Sequence, residues 1–515
     1  MSITYSITSI VTYNLCFHPL AGFPGPKLHG GTPIPYVWHQ LRGGLPFIYR
    51  KLHDEYGDVV RILPNELSFN AASAWQDIYT VRSGHQLPTK DPKVVVPSDE
   101  GAYNIVTAPN IADHARYRRT LNAGFSEKAV REQEHIVRGH SDLLITRLHT
   151  HATAPKTSGK PQDLVFWLTL LTFDIIADLT FGESLHGLEE EKYHPWVEGL
   201  FGSVMKHASL KRAIGYFPHI KPLLDAFLPK TLLEQRAKHA RFVSERVEKR
   251  MKMDSASNNR SDFMSFILPY DPEKVHMSLP EIRATFGVLM MAGSENLATT
   301  VDLTIYHLLK NPGAWERLTQ EMRGRFQSEE EITFLSVASL PYLAATLSES
   351  MRIQPAAPAS QPRVVPEGGD VISGHYVPGG ARVATPSICM SHDPRYFKHP
   401  RLFRPERWLG DPEYKVDVKS ANHPFGTGPK SCAARPYVVL SSFASHTIPN
   451  EMILTLCPRP DGLALAEMKL IIARIVWNFD LELTADSKTW GEDLKIFHLW
   501  DITPLYVRFD PVQRA

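Results

Sequence analysis

A mainly α-helical fold with a small β-rich part is what this sequence predicts. Helical periodicity dominates from about Pro46 to Ile353, and one segment inside it, Leu279 to Lys310, has both of its ends marked. After Ile353 the texture changes to short β-like runs separated by proline and glycine turns. Taken in order, Met1 to Cys16 is modestly apolar but shorter than the roughly 20 residues a bilayer span needs, and it carries Ser, Thr and Asn. His18-Pro19-Leu20 and Pro24-Gly25-Pro26 then form a stiff stretch that stops any preceding helix. The long segment opens with Ser278-Leu279-Pro280-Glu281, a capping box with proline in the first turn, and closes at Asn311-Pro312-Gly313. Its 32 residues would rise about 48 Å, enough to cross a domain. The middle, Phe286 to Gly293, is apolar all round, as in a buried helix, and is interrupted by Ser294, Glu295 and Asn296. Pro366-Glu367-Gly368-Gly369 and Pro378-Gly379-Gly380 read as turns of a small sheet, and helical patterning returns at Leu463 to Phe479. Nothing between the two parts resembles a flexible linker, so one fused domain is expected over 23–515, preceded by a short residual anchor over 1–22.

The bulk composition narrows the function classes. Of 515 residues, 43% are hydrophobic and 22% charged, ordinary for a globular chain with a large core. A formal net charge of +1 gives no bulk attraction to nucleic acid or anionic membrane. Four cysteines, Cys16, Cys389, Cys432 and Cys457, have neither paired metal-ligand spacing nor the density of a disulfide scaffold, which points to a reducing compartment.

The sharpest chemical signal is Phe425-Gly426-Thr427-Gly428-Pro429-Lys430-Ser431-Cys432. Two glycines ahead of the cysteine allow a tight turn that presents amide N–H groups to a thiolate, and Lys430 nearby favours the anion. A thiolate so placed can be the fifth ligand of haem iron. A buried structural cysteine is the usual meaning of a lone cysteine, and the complete string is what overrides it.

That string, with three others, resembles the cytochrome P450 family, and the resemblance runs from about Asn14 to Phe509. Glu349-Ser350-Met351-Arg352 is similar to the family's Glu-x-x-Arg, and Arg407 in Phe403-Arg404-Pro405-Glu406-Arg407-Trp408 is similar to the arginine that completes that network. His114 and Arg118 fall one helical turn apart where the family binds a haem propionate, and Arg363 and Lys430 fall at its other propionate-binding positions. Lys430 stands where arginine or histidine is usual, supplying charge without a fork. Ala292-Gly293-Ser294-Glu295-Asn296 matches the family's acid and alcohol motif, with Asn296 in place of threonine. An amide can hold an ordered water but donates a proton poorly. Ala292 and Gly293 are expected to make room for dioxygen and substrate.

The resemblance implies haem b ligated by Cys432, dioxygen as oxidant and electrons from an NADPH-cytochrome reductase. It also implies weak association with the cytosolic face of the endoplasmic reticulum membrane, because the family's apolar anchor is longer. Phrases such as Asn14-Leu15-Cys16-Phe17-His18-Pro19-Leu20 and Trp477-Asn478-Phe479-Asp480 resemble fungal members that oxidise terpenoid, polyketide or alkaloid intermediates. Glu295 and Asn296 are the expected catalytic residues. Substrate contacts are expected near Val95 to Asn104, Leu289 to Ala292 and Ala356 to Ser360. Two departures keep other readings open. Asn296 admits an isomerase or dehydratase that uses no dioxygen. The 26 residues Pro436 to Asp461 separate Cys432 from the helix that directly follows it in the family. They read as a retained intron, a faulty gene model or a genuine loop, and they admit an inactive haem-binding product.

Overall fold

The capping signature at Ser278 forms a helix start in the computed structural model of the chain. Glu281 Oε2 accepts the Ser278 N–H at 2.7 Å, and the helix runs over Leu279–Lys310 as its end signals predict. The structure describes all residues except 1, 92–94, 96, 99, 202–203, 218–229, 254–259, 268–276, 436–460, 498 and 515. Nearly all of the expected insertion, 436–461, therefore lies outside the described residues, as does part of the 95–104 segment.

The central helix packs along Leu164–Phe181, a helix with 15 buried residues of its 18. By length and apolarity that partner could cross a membrane, yet 83% of it is buried against the rest of the protein, as befits the core helix of a bundle. Glu127–Thr153 and Leu463–Asn478 complete the bundle, each touching two of the others. The last of these fulfils the helix predicted from Leu463, ending one residue early where Phe479–Leu483 turns to strand.

The β-rich part draws on more of the chain than the sequence predicts. Its five-stranded sheet has the order Val59–Leu63, Glu66–Phe69, Arg382–Ala384, Arg363–Val364, Thr89–Lys90, with Glu66–Phe69 parallel to Arg382–Ala384 and the other pairs antiparallel. Val59–Leu63 and Glu66–Phe69 are buried at every residue, and the first of them lacks the polar–apolar alternation that marks a strand. That is why the first part of the chain read as helical alone. A second sheet joins Gln162–Asp163, Tyr506–Pro511 and Phe479–Leu483.

Candidate active site

Cys432 ends a loop whose backbone folds under it. Gly426 and Gly428 take left-handed φ values of 67° and 72°, as the sequence requires of them. A Cβ on Gly428 would lie 1.9 Å from the Tyr79 carbonyl oxygen, so the loop closes on the neighbouring chain only with glycine there. The Cys432 N–H donates to the Phe425 carbonyl at 2.9 Å, and Arg118 donates to the Ser431 and Cys432 carbonyls at 2.8 and 3.1 Å. Cys432 is exposed although it sits deep among protein atoms, a combination that means it faces a cleft. Desolvation pushes its thiol up, while the N–H groups of Ala434 and Arg435 and the guanidinium groups of Arg118 and Arg435 pull it down. The cationic help thus comes from arginines, and not from Lys430 as the sequence predicts.

A buried ion network underlies this region. Arg352 grips Glu349 in bidentate fashion at 2.8 Å on both oxygens, and Arg407 Nε and Trp408 Nε1 each reach Glu349 at 2.9 Å. Arg407 also pairs with Asp417, and all four charged side chains are fully buried. Against a desolvation that would raise it, Arg352 and Arg407 hold the Glu349 carboxyl below its ordinary range. Two arginines against two carboxylates leave the network neutral. Asp417 has no signal in the sequence, being a lone acid ten residues past Arg407.

Lys430 instead belongs to a cluster of like charge. His114, on the helix Ile111–Asn122, is buried and held down to about 4 by desolvation and by Lys90, Lys430, Arg118 and Arg363. Arg363 is buried, and Lys430 Nζ is buried with no hydrogen-bond partner. Among the described residues no carboxylate pairs with any of these five groups. The structure therefore brings together Cys432, Lys430, His114, Arg118 and Arg363, and adds Lys90, which belongs to no motif. Five cationic or ionisable nitrogens without an acid, beside an accessible thiol, fit a dianionic, thiolate-ligated group such as haem.

The central helix carries the remaining candidates. Ala292 is exposed in the middle of an otherwise buried helix, so it faces open space inside the protein. Gly293 does not: a Cβ there would lie 2.5 Å from Ile176 Cδ1, so its small size serves the approach of helix Leu164–Phe181 and makes no room for dioxygen. Asn296 Nδ2 donates to the Ala292 carbonyl at 3.3 Å, while its buried Oδ1 has no partner. Glu295 lines a cavity of about 170 Å³ together with Asp163, Asp302, Tyr193 and Thr299, and desolvation raises its carboxyl to about 7. Among the described residues of the segments expected to touch substrate, only Met291 reaches that cavity.

The comparisons agree with this geometry. The cytochrome P450 family profile matches residues 28–436, and the chain belongs to that family. It is a cytochrome P450 monooxygenase, similar over its length to Cytochrome P450 monooxygenase astJ of Aspergillus oryzae (37% identical, covering 97% of this chain and 94% of that one). Cytochrome P450 monooxygenase lcsI of Purpureocillium lilacinum is 38% identical over 98% of this chain and 91% of its own length. Averantin hydroxylase of Dothistroma septosporum is 36% identical over 97% and 88%. Family membership implies a haem-thiolate cofactor, a reductase partner and dioxygen.

Proposed function

We propose that Cys432 ligates haem b and that the chain hydroxylates or epoxidises a small apolar intermediate of fungal secondary metabolism, of terpenoid, polyketide or alkaloid type. The observation that carries this is the Cys432 loop: an accessible thiol, amides and arginines turned toward it, and a cluster of unpaired cations beside it. Hydroxylation as the reaction type is supported by relatives named as monooxygenases and a hydroxylase. Bound haem would supply dioxygen activation, with electrons delivered one at a time by an NADPH-cytochrome reductase.

The protein's own residues then have distinct tasks. Arg118 ties the His114 helix to the Cys432 loop, while His114, Arg363 and Lys430 hold the propionate side. Glu295 holds a proton near neutral pH, at the wall of a cavity smaller than the roughly 300 Å³ of common ligand pockets but ample for several waters. Asn296 Oδ1, lacking a protein partner, accepts from an ordered water and so replaces the usual hydroxyl as a water holder. Residues 23–515 act as one haem domain. Phe425, Ala433 and Ala434 before the 436–461 segment and Leu463 to Leu465 after it pack on one apolar cluster, which supports one domain built from both sides of that segment.

The test is the carbon monoxide difference spectrum of the reduced protein. Wild type is expected to give a thiolate-type band, and Cys432→Ala to lose both the band and turnover. Retention of both by Cys432→Ala overturns the proposal.

A further inference from the structure

We propose that the cavity lined by Glu295 and Asp302 binds the ammonium group of a basic-nitrogen substrate, with Asp302 as its ionic partner. The inference rests on the monooxygenase reading above and narrows its substrate to a compound with an amine at one end and an oxidisable apolar part at the other.

The cavity of about 170 Å³ lies between the central helix, the helix Leu164–Phe181 and residues 497–504. Asp163, Glu295, Asp302 and Asp501 bring four carboxyl groups to its wall, and among the described lining residues none is Lys, Arg or His. Asp302 is the most buried of the four, 1% exposed, and its Oδ1 has no hydrogen-bond partner among the described residues. Burial, and then Asp163, raise its carboxyl well above the ordinary range. Asp163 is committed elsewhere: its Oδ1 accepts the Val165 and Leu505 N–H groups at 3.1 and 3.0 Å and caps the helix Leu164–Phe181. Among the described residues no cation offsets the burial of Asp163, Glu295 or Asp302.

A buried carboxylate is stabilised by a cation that reaches it, and the chemistry of the walls selects which one. Glu295 and Asp302 stand seven residues apart on one helix, about 10 Å along its axis and too far to share a metal ion. No group of three or more acids, histidines or cysteines among the described residues is arranged to hold one either. Phe173, Tyr193 and Phe497 line the same space. Carboxylates beside aromatic rings are the setting in which organic ammonium groups are held. Common ligand pockets begin near roughly 300 Å³, so this volume suits a head group and not a whole substrate. Met291, which also lines it, neighbours Ala292 and the open space that Ala292 faces, and the apolar remainder of the substrate lies on that side. The separation along the helix leaves Glu295 its proton.

The experiment titrates the haem-loaded full chain calorimetrically with choline, whose quaternary nitrogen cannot ligate iron, and with dimethylbutanol, its neutral carbon isostere. Wild type is expected to bind choline about tenfold more tightly, the scale of one charge-assisted contact. The preference should survive about 0.5 M salt, which screens exposed pairs but hardly a buried one. Near neutral pH, choline binding should release about one proton as Asp302 ionises, read from the heats in two buffers of different ionisation enthalpy. Asp302→Asn is expected to lose both the preference and the proton while binding dimethylbutanol as wild type does. Equal binding of the two probes by wild type, no binding of choline, or a preference abolished by salt overturns the inference whether or not the variant folds. A preference retained by folded Asp302→Asn overturns it too. The haem reading fails separately, if wild type shows no thiolate-type band.

Discussion

Glu295 shows how much a single residue owes to its surroundings. Desolvation lifts its carboxyl to about 7, so it is mostly protonated below neutrality and loses its proton as pH rises through that value. Product formed per NADPH is expected to fall between about pH 6 and 8 as the donor form is lost. Glu295→Gln should abolish that limb and lower product formation on the order of 10²-fold. NADPH should still be consumed, with reduced oxygen released instead of product. Measuring product, NADPH and hydrogen peroxide across the range checks this, and an unchanged limb in Glu295→Gln contradicts it. The sequence reveals Glu295 through its place in Ala292 to Asn296, but not its raised carboxyl, which depends on packing by distant segments. Lys90 is the opposite case. A lysine before Asp-Pro looks like any surface lysine, and only its partner strand sets it opposite Arg363.

Among elements, the central helix and the His114 helix are joined by one carboxylate. Glu281 closes the capping box and also accepts from Arg116 at 2.8 and 2.9 Å and from Tyr117 at 2.7 Å. The Arg116 hydrogen bonds, against some desolvation and with the Ser278 N–H and Tyr117, lower Glu281 to about 2. A depressed carboxyl contributes stability that is complete above its unfolded value near 4.5 and is lost as pH falls toward 2. Glu281→Gln is expected to cost about 1–2 kcal/mol at neutral pH, combining a lost cap and a weakened ion pair. Hydrogen exchange of residues 111–122 should quicken in the variant at pH 7 and match wild type near pH 2. Equal exchange at both pH values would mean that the contact carries no stability. The central helix was legible because its caps are local, and the His114 helix through its resemblance to a family motif. The two early strands were not: Glu66–Phe69 is held on one side by Arg382–Ala384 far along the chain, and Val59–Leu63, buried at all five residues, shows no strand period.

At the scale of the molecule, one surface stands out. Phe17, just past the helix Ser2–Cys16, Leu28 on Lys27–Gly31, and Ile34 and Trp38 on Ile34–Leu41 are exposed by 72, 65, 59 and 53%, and the Arg42 guanidinium stacks 3.8 Å above Trp38. Apolar side chains of this size each gain about 1.5–3 kcal/mol on burial, so together they suit peripheral docking on a membrane surface. Most of the protein is expected in salt-washed membranes, and a Phe17→Ser, Trp38→Ser double variant in the soluble fraction. Wild type released by salt alone would refute apolar docking. Read by itself, the sequence determined what neighbours in the chain can decide: the turn beneath Cys432, the ends of the central helix, the pairing of Glu349 with Arg352. Only the tertiary structure decided which charges are balanced and which are not. Asp417 neutralises Arg407, whereas Lys430 Nζ is buried with no hydrogen-bond partner among the described residues. The physical reason is that a charge's free energy depends on its burial and its nearest opposite charge, and folding alone brings those partners within reach.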